Sequence, residues 1–447
     1  MDGAAPMRLS GWGRFPRLDC RVIDPNGTED VPAAIAAPGS LIVFGNGRAY
    51  GDAALNPAGT LRLGRCRRVI DFDPASGQLT CEAGTLLSDI LETFLPRGWF
   101  PPVTPGTKFV TIGGMIAADV HGKNHHLAGS FGAHLDWLDL ALADGRVLRC
   151  SPQENAELFA ATCGGMGLTG VILRASFRLL PVETRLIRQE TLRARGIDEA
   201  MAVFEESQGW TYSVAWIDCL SSGAALGRSI LTRGEHATRG DVPDRAAPLD
   251  PPRQRVLRVP VDFPSIALNR WSVRAFNALY YRQNRPGTRL IDLEPFFYPL
   301  DAILEWNRIY GASGLFQYQC VLPLAASHAG LRLLLDRIAA SGAGSFLSVL
   351  KRFGAQRATP WAGLLSFPME GYTLALDFRA TQANLRLAEE LDAIVADHGG
   401  RLYLAKDARM SPAMLRFYPQ LERFRAVRAA VDPGGKFASA QSRRLGL

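Results

Sequence analysis

The residues best suited to chemistry lie between Thr104 and Gly132, in the stretch TPGTKFVTIGGMIAADVHGKNHHLAGSFG. Glycine has no Cβ atom, so its backbone N–H group can approach a bound group closely, and consecutive N–H groups form a concave surface that favours anions. Titratable side chains follow at His121, Lys123, His125 and His126. The segment therefore predicts a site that wraps a ligand with an anionic group such as a pyrophosphate.

Lysine is rare in this chain and marks further candidate positions. Of the 50 basic residues only five are lysines, at 108, 123, 351, 406 and 436. A lysine supplies a compact, flexible ammonium, whereas an arginine supplies a planar guanidinium. A lysine in an arginine-rich chain can therefore mark a site that needs an ammonium. The alternative for each lysine is that it lies at the surface by chance and has no function there.

Short strands and turns must position these groups in the first part of the chain. The apolar run 41–44 predicts a buried strand that leads into the loop GNGRAYGD at 45–52. The spacing of Leu87, Ile90, Leu91 and Phe94 predicts a helix that ends before Pro96. Alternating leucines at 138–142, followed by Asp144-Gly145, predict a strand and a type I′ hairpin.

A glycine motif at 165–170 resembles a nucleotide-binding fingerprint but has the wrong neighbours. Ser151-Pro152-Gln153-Glu154 is a capping box, so we expect a helix from there to about Thr162. Alternation at 171–179 predicts a strand after the glycines. A Rossmann fingerprint needs the opposite order, strand first and helix second, so the motif does not predict NAD binding.

The composition is typical of a folded globular protein, with 447 residues, 47 % hydrophobic and 21 % charged. We find no signal peptide and no run of about 18 apolar residues, which predicts a cytoplasmic protein. Seven scattered cysteines without a CxxC pair predict reduced thiols.

The net charge of +7 suits an anionic partner, but the arginines are dispersed, which argues against nucleic acid. His121, His125 and His126 lack a neighbouring carboxylate or cysteine, so we predict no metal site.

Four motifs in this order resemble one family over nearly the whole chain. GNGRAYGD, PVTPGTKFVTIGG, HGKNHHLAGSFG and GGMGLTG resemble the FAD-binding half of the vanillyl-alcohol-oxidase type flavoenzymes, which carry a PCMH-type FAD-binding domain. Within that family, HGKNHH followed by AGSFG resembles the group that oxidises polyprenylphosphoryl ribose. The segments FQYQCVLP, FLSVLKRFG, LSFPMEGYTLALDF and GGRLYLAKDAR extend the similarity to the C-terminus.

The resemblance implies an α+β fold in which a two-part FAD domain encloses a substrate domain. The FAD domain is expected over 1–184, the substrate domain over 185–400 on an antiparallel sheet, and a returning C-terminal segment over 401–447. Residues from about 233 to 264 are rich in proline, arginine and aspartate, so we expect a mobile surface loop there. We consider this loop a candidate membrane contact.

The resemblance also implies a set of FAD-binding residues. Many relatives attach the flavin through a histidine in the first loop, and Arg48 stands where that histidine would be, so noncovalent FAD is expected. The implied residues are Gly45, Asn46, Gly47, Arg48, Ala49, Tyr50, Gly51, Asp52, Pro105, Gly106, Thr107, Thr111, Ile112, Gly113, Gly114, Ala117, His121, Gly122, Lys123, Asn124, Ser130, Gly132, Gly167, Gly170, Val171 and Lys406.

Oxidation of a secondary alcohol needs a hydride acceptor, which the flavin supplies, and a base for the hydroxyl proton. Lys406 matches a lysine that the family places beside flavin and sugar, and Tyr50, His121 and Lys406 all remain candidates for the base. The expected substrate residues are Lys123, Trp216, Gln317, Gln319, Lys351, Phe353 and Thr373. Structural roles are the alternative for His125, His126, Trp216 and the two glutamines.

The implied reaction is oxidation of the 2′-hydroxyl of a polyprenylphosphoryl-β-D-ribose to the 2′-keto sugar, the first half of an epimerisation to an arabinose donor. The alternative is an aldonolactone or alditol oxidase with a soluble substrate. A short-chain reductase partner and peripheral contact with the inner membrane are further expectations. Phe297, Thr373 and Ala375 replace a tyrosine, an asparagine and a cysteine of the mycobacterial pattern, so the lipid or the sugar could differ.

Overall fold

A computed structural model describes residues 5–242, 247–251, 256–264, 268–355 and 363–447. Strands in the first part of the chain are β1 Met7–Ser10, β2 Arg17–Cys20, β3 Val22–Ile23, β4 Ile42–Phe44, β5 Thr60–Arg62, β6 Val69–Asp73, β7 Gln78–Glu82, β8 Trp99–Phe100, β9 Leu135–Ala141, β10 Val147–Cys150, β11 Val171–Arg178 and β12 Leu180–Pro181. Helices there are α1 Val31–Ala36, α2 Leu87–Phe94, α3 Ile112–Ala117, α4 His125–Ala128 and α5 Ala156–Thr162.

The second part contributes longer elements. Its strands are β13 Leu186–Ala194, β14 Tyr212–Ile217, β15 Ser229–His236, β16 Leu257–Arg258, β17 Gly287–Asp292, β18 Ile303–Leu304, β19 Leu315–Pro323, β20 Ser348–Phe353, β21 Gly371–Arg379 and β22 Arg401–Leu402. Its helices are α6 Ile197–Glu206, α7 Arg270–Gln283, α8 Leu293–Phe297, α9 Leu324–Ser341, α10 Gln382–Asp397, α11 Leu421–Val431 and α12 Ala440–Leu445.

The strands form two large antiparallel sheets, as an α+β fold requires. Five strands of the first part pair in the order β10-β9-β11-β7-β6, and β3, β5 and β4 form a small parallel sheet. Eight strands of the second part pair in the order β17-β13-β15-β14-β20-β21-β19-β22. The predicted α+β class and the antiparallel sheet of the second part are confirmed.

The eight-stranded sheet has a covered face and an open face. Because successive side chains alternate between faces, Phe316, Tyr318 and Cys320 of β19 point into the core on one side. Helices α6, α9 and α10 cover that side. Gln317 and Gln319 lie on the other face, which turns toward the first part of the chain. One face of this sheet is therefore free to form a site wall.

The C-terminal residues return to the first part of the chain. Leu41 pairs with Phe437, and the N–H group of Ala440 donates to the carbonyl of Leu55. Strand β22 still belongs to the eight-stranded sheet, since Leu402 pairs with Cys320. The division into 1–184, 185–400 and 401–447 stays a prediction.

Several local predictions are confirmed and others are wrong. Helix α2 spans the predicted residues and strand β11 follows the glycine motif. The helix expected from Ser151 begins only at Ala156, because Asn155 takes a left-handed conformation at φ 52° and separates the capped turn from the helix. The hairpin after β9 is not type I′, because Gly145 has positive φ whereas Asp144 does not.

The loop predicted over 233–264 is also only partly right. Residues up to His236 belong to strand β15, since alternation and pairing with β13 continue to that point. Strand β16 lies inside the predicted loop and pairs with β18. Residues 243–246 and 252–255 of the prediction lie outside the described part of the chain.

Candidate active site

A cavity of about 720 Å³ lies between the glycine loops of the first part and the open face of the eight-stranded sheet. Most of the predicted site residues line it: Gly45, Asn46, Gly47, Arg48, Ala49, Tyr50, Gly51, Pro105, Gly106, Thr107, Thr111, Gly113, Gly114, Ala117, His121, Gly122, Lys123, Gly167, Gly170, Trp216, Gln317, Gln319, Lys351 and Lys406. The fold therefore brings segments more than 350 residues apart in sequence to one surface.

Eight predicted residues do not line the cavity: Asp52, Ile112, Asn124, Ser130, Gly132, Val171, Phe353 and Thr373. Three of them lie behind the glycine wall and form hydrogen bonds within the fold. Asp52 accepts from Arg444, Asn124 donates to the Pro102 carbonyl, and the Gly132 N–H group donates to Asp119. These residues support the wall and do not form its surface.

The other five also lie behind the surface. Ile112 and Val171 are fully buried in the apolar core, and Ser130 bridges to the backbone of His121. The ring of Phe353 packs against His121 with 4.7 Å between ring centroids. Thr373 accepts a hydrogen bond from Gln319 at 3.2 Å. Of the three positions that depart from the family pattern, Phe297 and Ala375 line the cavity and Thr373 does not.

The loop 45–51 presents backbone donors to the cavity. Within the described part of the chain, the N–H groups of residues 46–49 have no hydrogen-bond acceptor. By contrast, the Gly113 N–H group donates to Ala83 and that of Gly114 donates to Thr111. We expected Gly113 and Gly114 to offer free amides to an anion, and this is wrong because both amides are used inside the fold.

The same loop is fixed by the chain on both sides of it. The N–H group of Trp12 donates to Ala49 and that of Tyr50 donates to Ala405. At Gly51 the backbone approaches so closely that an added Cβ atom would lie 1.9 Å from the Asp407 carbonyl oxygen. Glycine is therefore required there by packing, and the contact brings the segment of Lys406 next to the loop.

Arg48 places an unpaired cation at this wall. Its guanidinium carbon lies 4.0 Å from the ring centre of Trp12 and 5.2 Å from that of Phe109. Its Nε atom is buried and has no hydrogen-bond partner among the described residues. Burial lowers the pKa of Arg48, while Asp301 opposes this. A half-buried guanidinium beside unpaired N–H groups fits the pyrophosphate of a dinucleotide.

His121 is held between the two walls by residues of the sheet. The Lys351 Nζ atom lies 3.1 Å from its Nδ1, and the Gln319 amide lies 3.1 Å from its Nε2. Burial, reinforced by Lys351, His125 and Lys406, holds the pKa of His121 well below its usual range. Both ring nitrogens of His121 thus face partners on the sheet, which fixes the orientation of the imidazole between the two walls.

Lys406 lies over the ring of Tyr50, with its Nζ atom 4.2 Å from the ring centre. A turn holds it there, in which the Asp407 carboxylate accepts from the N–H groups of Arg409 and Met410 and from Gln441. Burial lowers the pKa of Lys406 to about 8, and Asp377 acts in the opposite direction. The amine is therefore poised to exchange a proton near neutral pH.

Asp377 is a site residue that the sequence analysis missed. It pairs with Gln317 across β21 and β19, and the Gln317 amide donates to its Oδ1 at 2.7 Å. Its Oδ2 is buried and has no partner among the described residues. Burial raises the pKa of Asp377 to about 7, against the effect of Lys406. The sequence did contain a signal for this residue. Asp377 is a carboxylate within the apolar run TLALDF and lies on the same strand face as Thr373 and Ala375.

The cavity has a strong excess of positive charge. Among the described residues that line it, five have cationic side chains and one has a carboxylate, namely Arg48, Lys123, Arg289, Lys351 and Lys406 against Asp301. Burial lowers the pKa of Lys123 and of Lys351 to about 7, and neighbouring lysines add to this at Lys351. Such a cavity favours ligands that carry negative charge.

Two features are absent from the described residues, a metal-binding cluster and a membrane-spanning helix. No cluster of three or more histidine, cysteine, aspartate or glutamate side chains there could hold a metal ion. No helix in the described ranges combines the length and apolar character needed to cross a bilayer.

Family models and known proteins match the segments that line this cavity. A family model described as an FAD binding domain matches residues 21–151, and a model described as D-arabinono-1,4-lactone oxidase matches residues 372–445. The decaprenylphosphoryl-beta-D-ribose oxidase of Mycolicibacterium smegmatis is 36 % identical over 98 % of this chain and 97 % of its own length. The chain belongs to this oxidase family.

Other relatives match this chain over different shares of its length. An uncharacterized protein of Streptomyces coelicolor is 39 % identical over 81 % of the chain and all of its own length. The L-gulonolactone oxidase of Mus musculus is 33 % identical over 31 % of each chain. The protein is accordingly an FAD-dependent oxidoreductase that acts on CH–OH groups, and FAD is its cofactor.

Proposed function

We propose that this enzyme oxidises the 2′-hydroxyl of a polyprenylphosphoryl-β-D-ribose to the 2′-keto sugar, using noncovalent FAD. The similarity to the Mycolicibacterium smegmatis oxidase over 98 % of the chain carries the proposal. The excess of cationic side chains in the cavity supports it, because both the dinucleotide and the lipid phosphate are anionic.

The free N–H groups of residues 46–49 would hold the FAD pyrophosphate, and Arg48 would offset its charge. Arginine cannot form the bond by which a histidine attaches a flavin, which supports noncovalent binding. When bound, FAD supplies the two-electron acceptor for the hydride of the carbinol C–H bond. The predicted cofactor residues that line the cavity form the surface around it.

Lys406 is the proposed base that accepts the hydroxyl proton at its Nζ atom. A base works best when its pKa is near the working pH, and that of Lys406 is lowered to about 8. Both nitrogen atoms of His121 are engaged by Lys351 and Gln319. Burial raises the pKa of Tyr50 well above its usual range, so its phenolate is scarce. Of the three candidates, Lys406 alone has a suitable free atom.

The open sheet face supplies the proposed substrate contacts. Gln317, Lys351 and Trp216 line the cavity there and offer an amide, an ammonium and an aromatic ring to the sugar. Lys123 and Arg289 offer positive charge to the phosphate. Gln319 acts through His121, whose orientation it fixes.

The keto sugar then requires a reductase to complete the epimerisation, and we propose a short-chain reductase as the partner. We also propose that the enzyme works in the cytoplasm in peripheral contact with the inner membrane, since its substrate is anchored in lipid. The described part of the loop 233–264 supports a surface contact, because Val256, Leu257 and Val261 are exposed.

A soluble sugar is the second candidate substrate. The lactone-oxidase model matches residues 372–445, and the mouse L-gulonolactone oxidase resembles part of the chain. Anaerobic reduction of the bound flavin separates the two. Bleaching of the flavin band by polyprenylphosphoryl ribose but not by aldonolactones or alditols supports the lipid-linked substrate, and the reverse pattern refutes it.

A further inference from the structure

Helix α7 carries an apolar face that is largely exposed among the described residues. Trp271 is 67 % exposed, Leu279 54 % and Phe276 43 %. Trp271 and Leu279 are eight residues apart, so they lie on the same side of the helix, two turns from each other. Val273 and Asn277 on the opposite side are buried. The helix is thus held by its inner face and presents large apolar side chains outward.

The same stretch is strongly basic. Residues 268–290 contain no aspartate or glutamate and five arginines, at 270, 274, 282, 285 and 289, all of them exposed. None of the five forms a salt bridge with another described residue. An apolar face flanked by uncompensated arginines is the pattern of a helix that lies in the surface of an anionic bilayer.

The inner side of this stretch reaches the active-site cavity. Tyr280, Asn284 and Arg289 line the cavity, and the ring of Tyr280 lies 4.8 Å from that of Trp216 between ring centroids. A single helix therefore separates the cavity from the exposed apolar face. A bilayer against α7 would be adjacent to the space where the lipid-linked sugar is oxidised.

We propose that α7 is the membrane-docking surface of this enzyme and that its partner is an anionic lipid bilayer. The inference rests on the proposed lipid-linked substrate. Docking of a second copy through the same face would bring the exposed arginines of one molecule against those of the other, which is unfavourable without counter-charges. Anionic headgroups provide those counter-charges, and the acyl region accommodates Trp271 and Leu279.

Sedimentation of the FAD-loaded protein with vesicles tests the surface. Binding is expected to vesicles of phosphatidylglycerol and phosphatidylcholine in equal parts, and much less to phosphatidylcholine alone. Leu279→Glu is expected to lower the partition coefficient by about tenfold. Leu333→Glu on α9, which is 49 % exposed, is the matched control and keeps full binding. Arg274→Glu with Arg282→Glu is expected to cost about fivefold for each arginine.

A second readout locates the contact. Brominated lipids quench tryptophan emission on contact, and this quenching is expected to fall in Trp271→Phe, although the chain has seven other tryptophans. Equal binding of wild type and Leu279→Glu would overturn the proposal. So would a dimer that sediments as such in solution and dissociates in Trp271→Glu, because the face would then bind a second copy.

Flavin reduction in detergent micelles separates this inference from the proposed function. Polyprenylphosphoryl ribose in micelles is expected to bleach the flavin of Leu279→Glu as fast as that of wild type, while vesicle binding is lost. Normal bleaching with no vesicle binding by wild type would refute the docking surface alone. Normal vesicle binding with no bleaching would refute the proposed substrate and leave the docking surface supported.

Discussion

The two walls of the cavity differ in the kind of group they present. The loop 45–51 offers backbone N–H groups and one guanidinium, and its shape depends on glycine at contacts such as Gly51 with Asp407. The sheet wall offers side chains, among them Gln317 and Gln319 of β19 and Lys351 of β20. The loop wall is therefore suited to binding the cofactor, and the sheet wall is suited to recognising a particular substrate.

The two walls also respond differently to substitution. A backbone donor cannot be removed by changing its own side chain, so the loop is vulnerable only where a larger residue would not fit. On the sheet wall each polar atom belongs to one side chain, and that side chain can be replaced singly. Lys406 lies where the two walls meet, over Tyr50 of the loop and near Asp377 of the sheet.

Lys406→Ala is expected to have the largest effect. Loss of a general base costs roughly 10²–10⁴-fold in rate, which we expect here in flavin reduction by polyprenylphosphoryl ribose. FAD should remain bound, because the N–H donors of residues 46–49 are untouched. Stopped-flow absorbance under anaerobic conditions measures both quantities.

Lys406→Arg is the matched variant for this prediction. It keeps the positive charge but cannot accept a proton near neutral pH, so it should be nearly as slow as Lys406→Ala. Reduction close to the wild-type rate in Lys406→Arg would mean that the residue acts by charge alone and that the base is another group.

Gly51→Ala tests the glycine wall. Its added Cβ atom would meet the Asp407 carbonyl oxygen at 1.9 Å, so the loop must move, at a cost of about 3 kcal/mol in the free energy of unfolding. Weaker FAD retention should accompany this. Gly64→Ala is the control because a Cβ atom there meets nothing within 4 Å. Equal thermal stability of the two variants would contradict the packing account.

Asp377→Asn tests how the sheet wall tunes Lys406. The carboxylate favours the ammonium form, so its removal lowers the pKa of Lys406. The rate of flavin reduction rises with pH as the neutral amine forms, so its pH profile should move toward lower pH. A shift toward higher pH, or none, would show that Asp377 does not act on the base.

At neutral pH the smallest effect is expected at His125, which lies beside the site. Burial lowers its pKa to about 3, so the unfolded chain takes up a proton below pH 6.5 that the folded protein resists. The free energy of unfolding therefore falls between about pH 6.5 and 3, by up to about 1.4 kcal/mol per pH unit for this residue. His125→Gln should flatten that dependence in denaturant titrations.

The sequence predicted the loop wall better than the sheet wall. GNGRAYGD is a local motif, and its glycines, arginine and tyrosine all line the cavity. Gly113 and Gly114 also line it, but their amides are occupied by Ala83 and Thr111, and no local pattern indicates such partners.

Strand register explains what the sequence could not predict on the other wall. The spacing of Gln317 and Gln319 correctly placed both on one face of β19. That Asp377 lies opposite Gln317, and that Gln319 reaches His121, depends on the pairing of strands separated by about 60 residues and on the approach of a distant loop. The late start of α5 depends on the left-handed Asn155, which the capping box does not reveal.

Anaerobic titration of the purified holoenzyme with polyprenylphosphoryl ribose tests the central claim most directly. The protein should be yellow, acid should release its flavin, and the lipid-linked sugar should bleach the flavin band in one-to-one proportion while soluble lactones and alditols leave it unchanged. A colourless protein that takes up no FAD, or a flavin that the lipid-linked sugar does not reduce, would contradict the account.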